Sequence, residues 1–284
     1  MLWVTNLKQG ANRMTTQDFI IELFCRVDDK MSQVQKHAQA NLYPSELVTI
    51  GLLFAIKGVG NRPFYRWLRR DYRPLFPKLP ERTRLFRLLA LHQEWTEHFL
   101  AEPTVLGVAD SYGIELIHPR RQGRSDKQIG KKGISNQRWI VGGKLGFVLN
   151  QWGLVSSWMP AAANMHDTVF HPMIAQFVHP ATEEQEESVE MIVLADTHFH
   201  AKEGDPPNLK LCKRGQWNVR MLVETVLSML TNVCHIKKVS HRVWVYFGAR
   251  LAFVIAAFNL LVQWHGLRPD EEGFIRLSIA QFGL

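Results

Sequence analysis

Cysteine is scarce in this sequence. The three cysteines, Cys25, Cys212 and Cys234, are far apart in 284 residues and form no CxxC pair. The sequence therefore predicts neither a disulfide framework nor a zinc knuckle, and a reducing cytosol is the expected compartment.

Long apolar runs are missing as well. The most apolar stretch, "LAFVIAAFNLLVQW" at residues 251–264, contains Asn259 and Gln263 and follows Arg250. A membrane span needs about 20 apolar residues, so this stretch predicts a buried helix instead. The first residues, "MLWVTNLKQGANR", lack the layout of a signal peptide. We expect a soluble, cytoplasmic protein with no membrane partner.

An excess of negative charge is also absent. Lys and Arg number 34 against 26 Asp and Glu, which gives a formal net charge of +8, and the sequence pI is about 9.5. A basic chain favours a polyanionic partner, either nucleic acid or an anionic membrane surface. The length predicts about two domains.

Helical patterns dominate the first hundred residues. "TTQDFIIELFCRVDDKM" has apolar residues at helical spacing after a possible N-cap at Thr15 or Thr16. "YPSELVTIGLLFAIKG" predicts a second helix, capped by Ser45 and ended by Gly58. We therefore predict an all-α N-terminal domain over residues 1–102.

From residue 103 the pattern changes to strands. "TVLGVAD", "RWIVGGKLGFVLN", "LVSSWMPAAA" and "MIVLAD" predict strands, and "HDTVFHPMIAQF" predicts a helix capped by Asp167. Helical patterns return in "VRMLVETVLSMLTNV" and "YFGARLAFVIAAFNLLVQWHG". This order predicts an α/β domain over residues 103–284.

Three acids stand out within the predicted α/β domain. Asp110 and Asp196 each follow an apolar strand, at the edge where open α/β sheets usually place their sites. Glu224 lies in an amphipathic helix among apolar neighbours. Three carboxylates close together would repel each other without a cation, and Mg²⁺ or Mn²⁺ prefers such oxygen ligands. Each acid taken alone is more typical of a turn, a cap or a solvated helix face.

The pattern resembles the DDE transposases of bacterial insertion sequences. That family carries Asp on its first core strand, Asp on a later strand and Glu on the following helix. Many members surround the Glu with Y-x2-R-x3-E-x6-K. In "WNVRMLVETVLSMLT", Arg220 and Glu224 match, whereas Trp217 replaces the Tyr and Thr231 replaces the Lys. "GKLGFVLNQWGLVSSWMPAAANMHDTVFHP" and the helical region from residue 44 also resemble the family.

The resemblance implies a fold, an activity and a site. The fold would be an α/β ribonuclease H-like mixed sheet with flanking helices, behind the all-α N-terminal domain. Asp110, Asp196 and Glu224 would hold two Mg²⁺ or Mn²⁺ ions and cut and join DNA at insertion-sequence ends. His166 and Asp167 would support this site. The partners would be double-stranded DNA, as terminal inverted repeats and target, and a second copy in a synaptic homodimer near the bacterial nucleoid.

Basic residues supply candidate DNA contacts. "HPRRQGRSDKQIGKKGISNQRW" predicts a loop or ragged hairpin that leaves the site directly, and "NRPFYRWLRRDYRPLF" interleaves arginines with aromatic residues. In the second stretch we expect the aromatics to build the helical core and the arginines to meet DNA. The predicted DNA-binding residues are Arg66, Arg69, Arg70, Arg120, Arg121, Arg124, Lys127, Lys131, Lys132, Arg138 and Arg220.

Other functions remain open from the sequence. The chain could be a decayed or domesticated relative that binds DNA without cutting it, or a metal-dependent nuclease without strand transfer. "DTHFH", with His198 and His200 beside Asp196 and with His166 and His171 elsewhere, could alternatively form a zinc hydrolase centre.

Overall fold

Helices and strands both contribute to a mixed α/β fold. The computed structural model describes residues 14–124, 129–135, 137–179, 188–213, 220–238, 243–266 and 279–284. In that part of the chain, four α-helices precede the sheet: α1 (Thr16–Lys30), α2 (Pro44–Lys57), α3 (Asn61–Asp71) and α4 (Arg82–Leu91).

The caps of α1 and α2 show how local chemistry starts and ends these helices. Thr15 and Asp18 form a reciprocal capping box on α1, with 3.1 Å between the Asp18 N and the Thr15 Oγ1. Of the two predicted candidates, Thr15 and Thr16, Thr15 is therefore the N-cap of α1. The predicted Ser45 cap of α2 is wrong, because Tyr43 is the N-cap and Ser45 is buried within the first turn. Gly58 ends α2 in the left-handed conformation, as predicted, with φ of 61°.

The sheet places its longest strands at its centre. Its strands are, along the chain, β1 (Leu106–Ile117), β2 (Lys131–Ser135), β3 (Arg138–Asn150), β4 (Val155–Ala162), β7 (Ile192–Ala195) and β8 (Leu209–Leu211). Between β4 and β7, the short strands β5 (Val178–His179) and β6 (Ser188–Val189) form a separate ribbon. β3 pairs antiparallel with β1, β2 and β4, whereas β1–β7 and β7–β8 are parallel. The strands predicted from apolar runs are confirmed.

The crossover between β4 and β7 is less helical than predicted. A 3-10 turn (Asp167–Phe170) leads into a short helix, α5 (His171–Ala175). His166, instead of Asp167, is the N-cap of the turn. Pro172 at the start of α5 interrupts the longer helix that the periodicity suggested.

Two helices follow the sheet, α6 (Arg220–Asn232) and α7 (Trp244–His265), as predicted. α7 is the one described helix that is long and apolar enough to span a membrane, and 83% of its apolar window is buried in the fold. It packs on α2, on α4 and on β4. This burial is that of a core helix, which is consistent with a soluble protein.

Two apolar cores cover the two faces of the sheet. The larger core contains Val108, Tyr112 and Phe147 together with residues of α1, α2, α4, α6 and α7. The smaller core contains Ala109 and Val148 together with residues of α5 and β7. The larger core continues across the predicted boundary at residue 102, because α7 packs against both the N-terminal helices and the sheet.

Buried polar groups on α7 join these layers. The Asn259 side chain accepts from the Val155 N at 2.9 Å and donates to the Val155 O at 2.8 Å and the Phe99 O at 2.9 Å. The Arg250 guanidinium donates to the Phe54 O, and to the Ala55 O at 3.1 Å, in the last turn of α2. Burial lowers the pKa of Arg250 to about 10.

Candidate active site

The register of β1 and β7 leads toward Asp110 and Asp196. In the parallel pair β1–β7, Gly107 lies opposite Val193 and Val108 opposite Leu194. Two steps further in the same register, Asp110 corresponds to Asp196. Backbone neighbours in adjacent strands lie about 4.8 Å apart, and corresponding side chains leave the same face. The two carboxylates therefore share one face of the sheet.

That face is the one covered by the larger core. Side chains alternate along a strand, and Val108 and Tyr112 both belong to the larger core, so Asp110 between them points to the same side. In β7, Val193 and Ala195 belong to the smaller core, which directs Asp196 to the opposite side, that of Asp110. Asp110 is half-buried, and its Oδ1 accepts from the Ser111 N at 2.6 Å.

A short turn holds the carboxylate of Asp196. Asp196 is the N-cap of a 3-10 turn (Thr197–Phe199), and its backbone stays extended, with φ of −77° and ψ of 172°. Its Oδ1 accepts from the His198 N at 2.9 Å, and its Oδ2 lies 3.1 Å from the His198 Nδ1. The Asp196 side chain is nevertheless 49% exposed. One face of the carboxylate can therefore still meet an ion or a substrate.

The loop after this turn is anchored at its far end. The His171 Nε2 lies 2.6 Å from the Phe199 O. The Asp205 carboxylate accepts from the Ala201 N at 2.8 Å and lies 2.8 Å from the His200 Nδ1. The bonds to the Ala201 N and to the His200 ring hold the pKa of Asp205 below its ordinary value. His171 and His200, considered for a zinc centre, are thus engaged in bonds that shape the loop.

Glu224 differs from the prediction. Helix α6 lies on the same side of the sheet as Asp110, since Val223, Val226 and Leu230 belong to the larger core. Successive residues of a helix are about 100° apart, so Glu224 points about 130° away from the middle of that buried stripe. It is exposed and lines a groove of about 470 Å³ with the Ile279–Ala280 segment. The prediction that Glu224 points to the strand ends and not to solvent is wrong for this structure.

The three predicted metal ligands are consequently not gathered into one site. Among the described residues there is no group of three or more His, Cys, Asp and Glu side chains placed to hold a metal ion. Asp110 and Asp196 alone still suit a hard cation, because Mg²⁺ is often bound by one or two carboxylates plus water and substrate phosphates. The donor set therefore fits a Mg²⁺ site of two carboxylates.

Asp167 lies away from this pair. Its Oδ1 is 2.9 Å from the Nζ of Lys144, which also donates to the Met165 O at 3.0 Å. Lys144 is on β3 in line with Gly146 and Val148, which face the smaller core. The ion pair of Lys144 and Asp167 thus lies on the face of the sheet opposite Asp110. This geometry does not provide the predicted support of the metal site by His166 and Asp167. The sequence analysis missed Lys144, a lone charge inside an apolar strand.

The predicted DNA contacts whose side chains the structure describes are at the surface, as DNA contacts would need. On α3, Phe64 is buried against Trp67, with ring centroids 5.7 Å apart, which confirms that the aromatics build the core. Arg70 pairs with Asp71. Lys127, Trp217 and the side chain of Arg220 lie outside the described residues. The exposed cations among the predicted DNA contacts are Arg66, Arg69, Arg70, Arg120, Arg121, Arg124, Lys131, Lys132 and Arg138.

Comparison with known proteins gives no family for the chain. No protein-family model matches it, and no match was found among curated proteins or among solved structures. The likeness to DDE transposases therefore depends on the motif residues of the sequence alone.

Proposed function

We propose that this chain is a metal-dependent enzyme that cuts and joins DNA in the manner of a DDE transposase, with a ribonuclease H-like sheet at its core. The observation that supports the proposal is the register of β1 and β7, because the pairing of Val108 with Leu194, continued by two residues, would set Asp110 beside Asp196 on one face. The order of parts also agrees with the proposal. An Asp on the central first strand, an Asp directly after a later neighbouring strand and a helix bearing Glu follow one another along the chain.

The chemistry of the pair supports phosphodiester cleavage. Asp110 and Asp196 would hold Mg²⁺ or Mn²⁺, which supplies activation of a water or a 3′-hydroxyl and stabilises the leaving oxygen. The protein's own contribution is to hold one carboxylate on a central strand and the other in a turn directly after a strand, so that little reorganisation is needed on binding. The exposed cations of the segment at Arg120, Arg121 and Arg124 would place the DNA backbone. In this proposal the enzyme works in the cytosol as a homodimer on double-stranded DNA.

The experiment uses purified protein, Mg²⁺ and the DNA that flanks its gene, with the new 3′ ends mapped on sequencing gels. Asp110→Asn and Asp196→Asn should each reduce cleavage by at least about a hundredfold, because each removes a metal ligand. Binding of the same DNA, measured in EDTA, should be unchanged. Asp28→Asn, an exposed acid on α1, is the matched control and should cut normally. Cleavage that survives both active-site changes would refute the assignment.

A second candidate is a relative that binds DNA without cutting it. The observation that favours it is the exposed position of Glu224, which leaves the third carboxylate outside the site. Glu224→Gln separates the two functions. If Glu224 is a ligand in the working complex, this variant loses cleavage as fully as Asp110→Asn; if the wild-type protein binds DNA and never cuts it, the second candidate holds.

A further inference from the structure

The hairpin of β2 and β3 exposes two large apolar side chains. Ile134 and Trp139 are partners in the register, and they are 57% and 54% exposed. The turn beside them closes between Ser135 and Arg138, with Gln137 in the left-handed conformation at φ of 62°. An exposed tryptophan next to an exposed isoleucine on an edge hairpin is typical of a surface that receives a partner.

Positive charge surrounds this apolar pair. The Nζ of Lys132 lies 4.8 Å from the centroid of the Trp139 ring, and Lys131 and Arg138 are exposed nearby. Residues 129–142 contain no Asp or Glu. An aromatic face among cations complements a ligand that carries both a flat ring and a negative charge, and a nucleotide has both.

Trp139 lies beyond the buried part of β3. On that strand Leu145 and Phe147 are fully buried in the larger core, whereas Trp139 is exposed where β3 pairs with β2 alone. The exposed surface is therefore that of the hairpin itself, with Ile134 on one strand and Trp139 on the other.

We infer that Trp139 is a stacking platform for an unpaired base of a bound nucleic-acid strand. Lys131, Lys132 and Arg138 hold the phosphates on either side. A base inside a duplex already has both faces stacked, so the ring of Trp139 gains most from a base that is unpaired. This inference rests on the DNA binding proposed above and adds that the bound DNA presents an unpaired base at the hairpin of β2 and β3.

The test measures binding without catalysis. Fluorescein-labelled DNA of about 20 nucleotides is titrated in EDTA as a single strand and as the matching duplex, and anisotropy gives the dissociation constants. Trp139→Ala should weaken single-strand binding about tenfold, within the range known for removal of one stacked base, and duplex binding less than about twofold. Trp139→Phe should restore most of the single-strand affinity. Trp152→Ala removes another exposed tryptophan, 43% exposed in the turn between β3 and β4, and should change neither constant.

Each outcome decides between explanations. Equal weakening of single strand and duplex, or no weakening, would overturn the platform. A change in oligomeric state by sedimentation in Trp139→Ala, with DNA binding intact, would show that the hairpin meets another protein chain instead. If the selective loss occurs but the wild-type protein cleaves no DNA with Mg²⁺, the platform stands and the proposed enzymatic function fails. If the wild-type protein binds neither DNA, both proposals fail.

Discussion

The ion pair between Lys144 and Asp167 is structural in this fold, because it lies on the face of the sheet opposite Asp110. Asp167→Asn should lower the free energy of unfolding by about 2–3 kcal/mol, the usual cost of losing a charged hydrogen bond at a largely buried site. Urea denaturation measures this change. The double variant Lys144→Met, Asp167→Leu should recover much of the loss, since apolar residues can replace a buried pair.

The same variants check where Asp167 acts. DNA cleavage by Asp167→Asn, measured well below its unfolding midpoint, should stay within about twofold of wild type, because the residue touches neither Asp110 nor Asp196 in this arrangement. A loss of cleavage as deep as that of Asp110→Asn would restore the supporting role that the sequence suggested for Asp167.

Asp205 makes stability depend on pH. Its folded pKa lies below the ordinary value because the Ala201 N–H and the His200 ring bond the carboxylate. A carboxyl with a lowered folded pKa stabilises the fold fully above its unfolded pKa of about 4, and that contribution disappears as the pH falls through the folded pKa. The difference in thermal midpoint between wild type and Asp205→Asn should therefore be largest near neutral pH and shrink below pH of about 4. A difference that does not change with pH would contradict this role.

At the scale of elements, α7 is the helix that joins the layers, and Asn259 is its main polar attachment. Asn259→Leu would leave the Val155 N–H and two carbonyl oxygens buried without their partner. An unsatisfied buried polar group costs about 1–3 kcal/mol, so we expect a decrease of about 3 kcal/mol or more in the free energy of unfolding, measured by urea denaturation. Gln263→Leu, a half-exposed position of the same helix, is the control and should change stability little. An equally stable Asn259→Leu protein would show that α7 is held by apolar packing alone.

The elements also show what the sequence could predict. Continuous apolar runs correctly predicted β3, β7 and α7. A segment that is buried on all sides is apolar throughout, so the run itself identifies it without any alternation of apolar and polar residues. The Ser45 cap was mispredicted because Tyr43 and Pro44 start the helix two residues earlier, with Glu46 accepting from the Tyr43 N at 2.7 Å. The sequence already indicated the direction of Glu224, because the fully buried Val226 and Leu230 lie more than about 100° from it around the helix axis. The Lys144–Asp167 ion pair joins residues that are 23 positions apart in the sequence, so no local sequence pattern predicts it.

For the molecule as a whole, the site depends on the meeting of distant parts of the chain. The return of β7 to β1 after the whole β2–β6 segment is what directs Asp110 and Asp196 toward each other. The sequence predicted both acids at strand ends. This holds for Asp196, which directly follows β7, and is wrong for Asp110, which lies inside β1. The helical N-terminal part shares its core with the sheet through α7. We therefore expect the two predicted domains to unfold together in a single transition. The unfolding curves measured by near-UV and far-UV circular dichroism should coincide. Two separate transitions would contradict this.

The net charge of +8 predicts that the proposed binding to DNA depends on salt. A comparison of two triple variants identifies the cations that contact the phosphates. Replacing Arg120, Arg121 and Arg124 by Ala should weaken binding equally for all duplex sequences. It should also reduce the slope of log affinity against log salt by about 0.9 for each phosphate that the protein no longer neutralises. Replacing Lys78, Arg84 and Arg87, three exposed cations of the helical part, changes the net charge by the same amount and is the matched control. If only net charge matters, both triple variants lower affinity alike and leave similar slopes; if the segment after β1 holds the DNA backbone, only the first variant shows a markedly shallower slope.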